Sequence, residues 1–139
     1  MNDLKLKRKE IKDENGDTIR LVYNELEDIL DVFFNENEPA TGIELTDHIL
    51  LRLDKKNGRA ISLTLLHFSI LMERTEYGPR SYPLDKLEEL PEDLRNMAVH
   101  AIMATPVNKF LKISFFQGAN SRHVPLTYVE PNYFASIAA

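Results

Sequence analysis

The sequence predicts one α+β domain, residues 1–139, in which an antiparallel sheet of about five to seven strands packs on one main helix. Short runs of alternating apolar and polar residues recur along the chain. Two Asn-Gly pairs, Asn15-Gly16 and Asn57-Gly58, separate such runs as hairpin turns do. A clear helical stripe occurs near residues 91–104. The length of 139 residues is enough for one core.

The first half, residues 1–72, is predicted to form hairpins. "LKLKRKEIK" and "TIRLVYN" read as extended arms around the Asn15-Gly16 turn, although the charged first arm could also be a frayed terminus. "IELTDHILLRL" and "RAISLTLLHFSILM" flank the Asn57-Gly58 turn. Their apolar residues alternate in the way that a half-buried antiparallel sheet requires: Ile49, Leu51, Leu53, Ile61, Leu63 and Leu65.

The stretch "VYNELEDILDVFFNE", Val22 to Glu36, fits two structures. As a helix it would start at Asn24, and an apolar stripe would follow: Leu26, Ile29, Leu30, Phe33 and Phe34. As a strand it would alternate Leu30, Val32 and Phe34 with Ile29, Asp31 and Phe33. In a helix Asp28 and Asp31 could form a carboxylate pair, whereas in a strand they point to opposite faces. The residues alone leave both structures open.

The second half, residues 83–130, is predicted to hold the helix and a further hairpin after a polar connector. "LDKLEEL" forms one short helical turn, Pro91 is the first residue of the helix, and Pro106 ends it at or before Thr105. "VNKFLKISFF" and "HVPLTYVE" are strands, and Pro125 makes the last one an edge strand or a bulge. Residues 131–139 form a loose or partner-docked tail.

Charge and composition limit the classes of function. A net charge of −5 argues against nucleic acid as the main partner, although Lys5–Lys12 could contact phosphates. The chain has no run long enough to span a membrane and no signal peptide, so a cytoplasmic protein is expected. Leu21 to Leu51 is an acidic segment without Lys or Arg, which could receive a basic partner. Its acids are Glu25, Glu27, Asp28, Asp31, Glu36, Glu38, Glu44 and Asp47.

The sequence contains no motif for catalysis, a cofactor or a metal. It has no cysteine, no glycine-rich phosphate loop and no nucleophile elbow. The four histidines are scattered without metal-ligand spacing: His48, His67, His100 and His123. We therefore expect no catalytic, cofactor-binding or metal-binding residue.

Two segments carry a resemblance to a known family. "YNELEDILDVFF" is similar to the opening signature of a bacterial family of unknown function, number 2283, also called YuzE-like, through Tyr23, Glu25, Asp28 and Leu30. "HILLRLDKKNGRAISLTLL" resembles its second signature through Asp54 and Gly58. The resemblance covers residues 19–70, and the rest resembles longer versions associated with photosynthetic bacteria.

The resemblance implies a small antiparallel β domain in which residues 29–35 form a strand after a turn. Asp28 would then close the turn by accepting backbone hydrogen bonds, and Asp31 would lie on an outward or edge face. The chain departs from the signatures at Asn24 and Arg52 and in the length of its hairpin turn. These departures remove acids and weaken any shared acid-based activity. Toxin-like neighbours of some family genes suggest an antitoxin-like or regulatory role.

These observations predict a non-catalytic cytoplasmic interaction protein that binds a basic protein or a second copy of itself through the acidic segment. The expected partner-binding residues are Glu25, Glu27, Asp31, Phe33, Glu36 and Glu38. The alternative is a small enzyme or RNA-acting protein that uses His48, His67 or His123 together with Asp47 or Asp54.

Overall fold

Eleven strands, two α-helices and two 3₁₀ turns make up the part of the chain that the structure, a computed structural model, describes: residues 6–34, 39–76, 78–79, 81–117, 123–130 and 134. The helical elements are α1 (Phe68–Leu71), the 3₁₀ turn Leu87–Glu89, α2 (Glu92–Met103) and the 3₁₀ turn Val107–Lys109. The strands are β1 (Leu6–Lys12), β2 (Thr18–Asn24), β3 (Ile29–Phe33), β4 (Thr41–Thr46), β5 (Ile49–Asp54), β6 (Arg59–Leu66), β7 (Arg74–Thr75), β8 (Gly78–Pro79), β9 (Tyr82–Pro83), β10 (Leu111–Gln117) and β11 (His123–Val129).

The first six strands form one antiparallel sheet in the order β1-β2-β3-β6-β5-β4. A second sheet has the order β10-β11-β9, and β7 pairs with β8. Both Asn-Gly turns join neighbouring strands of the large sheet, and Gly16 and Gly58 have φ of 84° and 71°, values that favour glycine. Mostly antiparallel sheets with one main helix confirm the predicted α+β class.

The ambiguous stretch is a turn followed by a strand. β3 lies between β2 and β6, in the interior of the large sheet. Leu30 and Val32 are fully buried, whereas Ile29, Asp31 and Phe33 are half-buried on the other face. The strand interpretation is therefore confirmed, and the carboxylates of Asp28 and Asp31 do not pair in the way a helix would allow.

Four local features differ from the sequence expectations. The run from residue 43 to 53 is a hairpin that turns at Asp47 and His48, not one arm. The end of "RAISLTLLHFSILM" leaves the sheet and forms α1. Pro91 occupies the N-cap with extended backbone, and α2 begins at Glu92. The last strand is the middle one of its sheet, not an edge strand, although Pro125 itself pairs with β10 only because β9 reaches no further than Leu126 and Thr127.

The hydrophobic core lies between the large sheet and the second half of the chain. Its members from the sheet include Leu21, Leu30, Leu51, Leu63 and Leu65, all fully buried. The opposite layer comes from α1, α2 and the loops that follow them: Phe68, Leu71, Leu84, Leu87, Ala98, Ala101, Ile102, Val107, Phe110 and Phe134. Both predicted halves therefore contribute to one core.

Aromatic rings fill the centre of the second layer. The Phe134 ring lies 5.3 Å from the Phe68 ring and 5.4 Å from the Phe110 ring, centroid to centroid. Within the predicted tail, Phe134 is the one position that the structure describes, and it is fully buried. At this residue the tail is packed against the core, not loose. None of the helices formed by the described residues has the length and apolar character needed to cross a membrane.

Candidate functional site

The face of the large sheet that points away from the core is here called the open face. Its central apolar side chains are half-buried and lie outside the core cluster: Val22, Ile29, Phe33, Leu50 and Leu66. They alternate along their strands with fully buried core residues, so each strand presents one row to the core and one row outward. This face combines apolar side chains with charged ones, both on its edge strands and on interior strands.

The strand registers place one row of the open face across all six strands. Arg8 on β1 is opposite Val22, which is opposite Asp31 on β3. The row continues through Thr64 and Leu50 to Glu44 on β4. An arginine and a glutamate, both exposed, thus end the same row at opposite edges of the sheet.

The neighbouring row adds more positive charge. Arg20 is opposite Phe33, and its guanidinium lies 5.1 Å from the centre of that ring, a cation–π contact. Phe33 is opposite Ser62, which is opposite Arg52 on β5. The face that carries Asp31 is therefore of mixed charge, although the segment that supplies Asp31 is acidic in sequence.

The four described residues of the predicted partner-binding set lie in two places. Asp31 and Phe33 lie on the open face, whereas Glu25 and Glu27 are exposed in the turn between β2 and β3. Glu36 and Glu38 fall outside the described residues. Asp31 is in an interior strand rather than at an edge, and it accepts a 2.6 Å hydrogen bond from the Thr64 hydroxyl.

Several acids of the segment have cations beside them. Lys7 lies 3.8 Å from Glu25, and Lys86 lies 3.2 Å from Glu44 and 3.1 Å from Asp47. The hydrogen bonds that Lys86 donates to Asp47 and Glu44 raise the pKa of this lysine. These cations are distant in sequence, so folding neutralises part of a charge run that looks unopposed along the chain.

Asp28 joins the turn before β3 to the helix α1. Its Oδ1 accepts the Tyr23 hydroxyl at 2.7 Å and the Ser69 amide at 3.0 Å. Its Oδ2 accepts the Ser69 hydroxyl at 2.6 Å, and its backbone carbonyl accepts the Phe68 amide at 3.0 Å. We call Tyr23, Asp28 and Ser69 the Asp28 cluster. Asp28 has φ of 57°, a left-handed conformation that is uncommon for residues other than glycine. Its contacts to a segment 41 residues away hold this conformation in place.

The Asp28 cluster shifts the titration of two of its members. Burial raises the pKa of Asp28, but the hydrogen bonds from Ser69 and Tyr23 and the charge of His67 outweigh it, so the pKa lies below its usual value. Burial, together with the hydrogen bond and the charge of Asp28, raises the pKa of Tyr23 to about 12. The cluster therefore holds a charged carboxylate against a neutral phenol at neutral pH.

The expected role of Asp28 in its own turn is wrong. The side chain that accepts a backbone hydrogen bond within this turn is Asn24, whose Oδ1 receives the Glu27 amide at 3.1 Å. Asp28 instead binds Ser69 and Tyr23. The reason is that its left-handed backbone directs the carboxylate toward α1, which the local sequence does not reveal.

Two of the four histidines lie together beside the Asp28 cluster. His48, in the β4–β5 turn, and His67, directly after β6, have their Nδ1 atoms 3.0 Å apart. Their ring centres are 4.9 Å apart and the rings are nearly perpendicular. We call them the histidine pair. The register of the β5–β6 hairpin explains it, because Ile49 is opposite Leu65 and the residues that flank both strands meet at one end.

The hairpin register was the signal that could have located this pair from the sequence. Asn57-Gly58 marks the turn, and counting outward from it brings His48 near His67. A bulge in β5–β6 between Arg52 and Leu53 shifts the count by one residue, which is why spacing alone did not reveal it. His100 is exposed on α2, away from this hairpin in the chain, and the side chain of His123 is outside the described set.

The arrangement does not make a nucleophile of Ser69. Its hydroxyl donates to the carboxylate of Asp28 instead of to a histidine, and the lowered pKa of Asp28 makes this carboxylate a weak base for taking the serine proton. The carboxylates expected to assist the histidines are occupied, since Asp47 binds Lys86 and Asp54 accepts the Lys56 amide. Among the described residues, no group of three or more His, Asp or Glu side chains could hold a metal ion.

Two surface cavities lie away from the histidine pair. One, of about 270 Å³, is lined by Asp13, Asp17, Arg59 and Pro106 among others. The other, of about 240 Å³, lies between the end of α2 and β10 and is lined by Ile102, Met103, Asn108, Leu111, Lys112 and Ile113. Neither has a histidine in its wall, so neither joins the groups that the enzyme alternative requires.

Comparison with known proteins finds no matching family model, no matching curated protein and no matching solved structure. The resemblance to the YuzE-like family therefore stays a prediction from the residues that carry it.

Proposed function

We propose that this protein is a non-catalytic interaction module that associates with a second copy of itself through the open face. The observation that carries the proposal is the row that begins at Arg8 and ends at Glu44, with apolar Val22 and Leu50 on either side of the hydrogen-bonded pair Asp31 and Thr64. A surface with opposite charges at its two ends and apolar side chains between them is complementary to itself when it is turned by half a rotation.

The apolar side chains of the open face supply the area for such a contact. Val22, Ile29, Phe33, Leu50 and Leu66 are neighbours on four adjacent strands, and each keeps part of its surface exposed. Partly exposed apolar side chains around a small polar centre, here Asp31 and Thr64, are typical of a protein-binding surface. Covering it would remove this surface from water, which favours association in proportion to the apolar area buried.

A two-fold axis parallel to the strands gives the matching geometry. Two large sheets packed face to face about this axis place β1 of each copy over β4 of the other. Because Arg8 and Glu44 share one row, each arginine then lies opposite the glutamate of the second copy, twice per dimer. Glu44 can turn to the second copy without leaving Lys86 unpaired, because Lys86 still has Asp47 as an ion-pair partner.

Self-association is better supported than a basic partner. The acids that would attract such a partner are partly opposed by Lys7 and Lys86, and the open face carries Arg8, Arg20 and Arg52. A strongly basic partner would meet all three arginines and be repelled. The two-fold dimer has a smaller cost of the same kind, because it places Arg20 on β2 opposite Arg52 on β5 of the second copy. A basic partner that docks on Glu36 and Glu38 stays the alternative within the same class of function.

One observation favours the enzyme alternative: the histidine pair brings two imidazole rings within hydrogen-bonding distance, and imidazole is the commonest general acid or base in enzymes. The carboxylates that would orient them are engaged elsewhere. The enzyme alternative predicts hydrolysis of an RNA or ester substrate that disappears in His48→Gln. Turnover by the wild-type chain that survives this substitution would remove the histidine pair from consideration.

The test is a charge exchange between the ends of the row. Sedimentation measures the oligomeric state of the wild-type chain, Arg8→Glu, Glu44→Arg and the double variant. Each single variant places like charges opposite each other, so we expect its dimer dissociation constant to rise roughly tenfold or more. The double variant restores opposite charges, and we expect it to regain most of the affinity.

Lys55→Glu is the matched control, because it reverses one exposed charge in the β5–β6 turn rather than on the open face. It should associate like the wild type. A wild-type chain that stays monomeric at high protein concentration would rule out self-association. If that monomer binds a polylysine peptide and Glu36→Lys/Glu38→Lys abolishes the binding, the basic-partner alternative replaces it.

A further inference from the structure

The histidine pair offers two imidazole nitrogens to one point in space. His48 Nδ1 and His67 Nδ1 are 3.0 Å apart. The backbone holds both residues in place, since the Leu66 amide donates to the His48 carbonyl at 2.8 Å and the His48 amide donates to the Thr46 hydroxyl at 2.9 Å. His67 has φ of 54°, an uncommon backbone for a histidine.

A single proton can satisfy this contact. One Nδ1–H donates to the other Nδ1, which requires the two rings to hold opposite tautomers. A cation placed between the two nitrogens would use both lone pairs at once. Neutral imidazole is the commonest protein ligand for divalent transition metals.

The separation of the two nitrogens fits a shared metal ion. With metal–nitrogen bonds of about 2.0–2.1 Å, two neighbouring ligands lie about 2.9 Å apart in octahedral or square-planar geometry and about 3.4 Å apart in tetrahedral geometry. The observed 3.0 Å falls within this range. His67 is exposed and His48 half-buried, so both rings have room to turn their lone pairs onto one ion.

The electrostatics also favour a cation here. Asp28 lies close enough to His67 for the two to influence each other's charge, and its carboxylate is held in the ionised form by Ser69 and Tyr23. Because both of its oxygens accept these hydrogen bonds, Asp28 serves as a fixed negative charge beside the site rather than as a ligand.

We propose that His48 and His67 form a two-histidine binding site for a late first-row divalent cation, of the class of Cu²⁺, Ni²⁺ and Zn²⁺. Water fills the remaining coordination positions, because no third His, Asp or Glu among the described residues joins the pair. The order of affinity follows the general order for nitrogen ligands, with Cu²⁺ bound most tightly. The site does not depend on self-association, since it lies within one chain.

The test is calorimetric titration of the full chain with Ni²⁺ or Zn²⁺ alone, followed by Cu²⁺, at neutral pH. We expect one ion per chain. His67→Asn keeps a residue type that tolerates positive φ, and His48→Gln changes the other ligand. Each should weaken binding by at least about tenfold, since even the loss of an outer-shell partner costs that much at metal sites.

His100→Gln is the matched control, because it removes an exposed histidine from α2 and leaves the pair intact. It should bind like the wild type. Thermal unfolding without metal shows whether each variant folds. If His67→Asn does not fold, the metal affinity of His48→Gln alone tests the proposal. Absence of binding to the wild-type chain, or equal binding by His48→Gln, would show that the pair only shares a proton and would overturn the proposal.

Discussion

The two faces of the large sheet are built from alternate residues of the same strands but differ in character. On the core face Leu30, Leu51 and Leu63 are fully buried against the second layer. On the open face Asp31, Leu50 and Thr64, one position away, keep part of their surface exposed. Both faces contain apolar side chains, yet among the described residues the core cluster covers only one of them.

The difference separates stability from recognition. Burial against the second layer removes the core face from water completely and should supply most of the folding free energy. The open face has gained little from folding and still has apolar area to bury, while its charges are positioned by the strand registers. Substitutions on the core face should therefore affect unfolding, whereas those on the open face should affect association.

The largest expected effect comes from a matched pair of leucines. Leu63→Ala on the core face leaves a cavity and should lower the free energy of unfolding by about 2–5 kcal/mol. Leu50→Ala on the open face removes a half-buried side chain and should cost less than about 1.5 kcal/mol. Urea unfolding of both variants at low protein concentration measures the difference.

The same two variants separate the faces in a second way. Leu50→Ala should weaken self-association, whereas Leu63→Ala should leave the dimer constant of the folded chain unchanged. Equal losses of stability in the two variants would mean that the open face is covered as completely as the core face.

A smaller effect is expected for a pair of aspartates. Asp28→Ala leaves the Ser69 and Tyr23 donors without their acceptor and places alanine at positive φ, so we expect a loss of about 2–4 kcal/mol. Asp31→Ala removes one hydrogen bond from Thr64 on the open face and should cost about 1 kcal/mol. Thermal and urea unfolding measure both.

Asp28→Asn is the control for the backbone, because asparagine tolerates the left-handed conformation. It should be less destabilised than Asp28→Ala. If Asp31→Ala lowers the free energy of unfolding as much as Asp28→Ala does, the contact between α1 and the turn before β3 contributes less stability than we expect.

The smallest expected effect concerns the pKa of Tyr23. The pKa of Tyr23 is raised to about 12 from the usual 10.0, first by burial and then by Asp28. The neutral phenol is therefore the form that the folded state favours, and the stability it brings is present below pH 10 and lost as the pH rises through about 12. The pKa of Tyr23 is measured by titrating the phenolate absorbance of the wild type and subtracting that of Tyr23→Phe at each pH.

Asp28→Asn should lower this pKa, because it removes the negative charge beside the phenol but not its burial. A Tyr23 that titrates at the ordinary value in the wild type would show that its hydroxyl is not held against Asp28 in solution.

Much of the fold could be predicted from local patterns. Asn15-Gly16 and Asn57-Gly58 mark turns because few other residues adopt positive φ at low cost. The stripe that includes Ala98 and Ile102 predicts α2 because residues three to four apart share a helix face. The β4–β5 hairpin was missed because its turn, Asp47-His48, lacks glycine and proline. For α1, four residues are too few to show a helical period.

The candidate sites were predicted less well. Asp31 was placed on the outward face once the family resemblance had favoured a strand over a helix, and the structure has Asp31 and Phe33 on the open face. The charge around them was not predicted, because Arg20 and Arg52 come from strands on either side. The predicted surface of acids is divided between a turn and a face, and part of it is opposed by Lys7 and Lys86. Such pairings depend on which strands are neighbours in the sheet, which no local pattern encodes.

By itself the sequence determined the class of fold, the alternation of core and open residues, and the helix α2, because these depend on periodicities and turn residues that act within a few positions. The tertiary structure alone decided that Asp28 binds Ser69, that His48 meets His67, and that Arg8 and Glu44 end one row. The physical reason is that these contacts depend on strand order and register, which the packing of the whole chain selects.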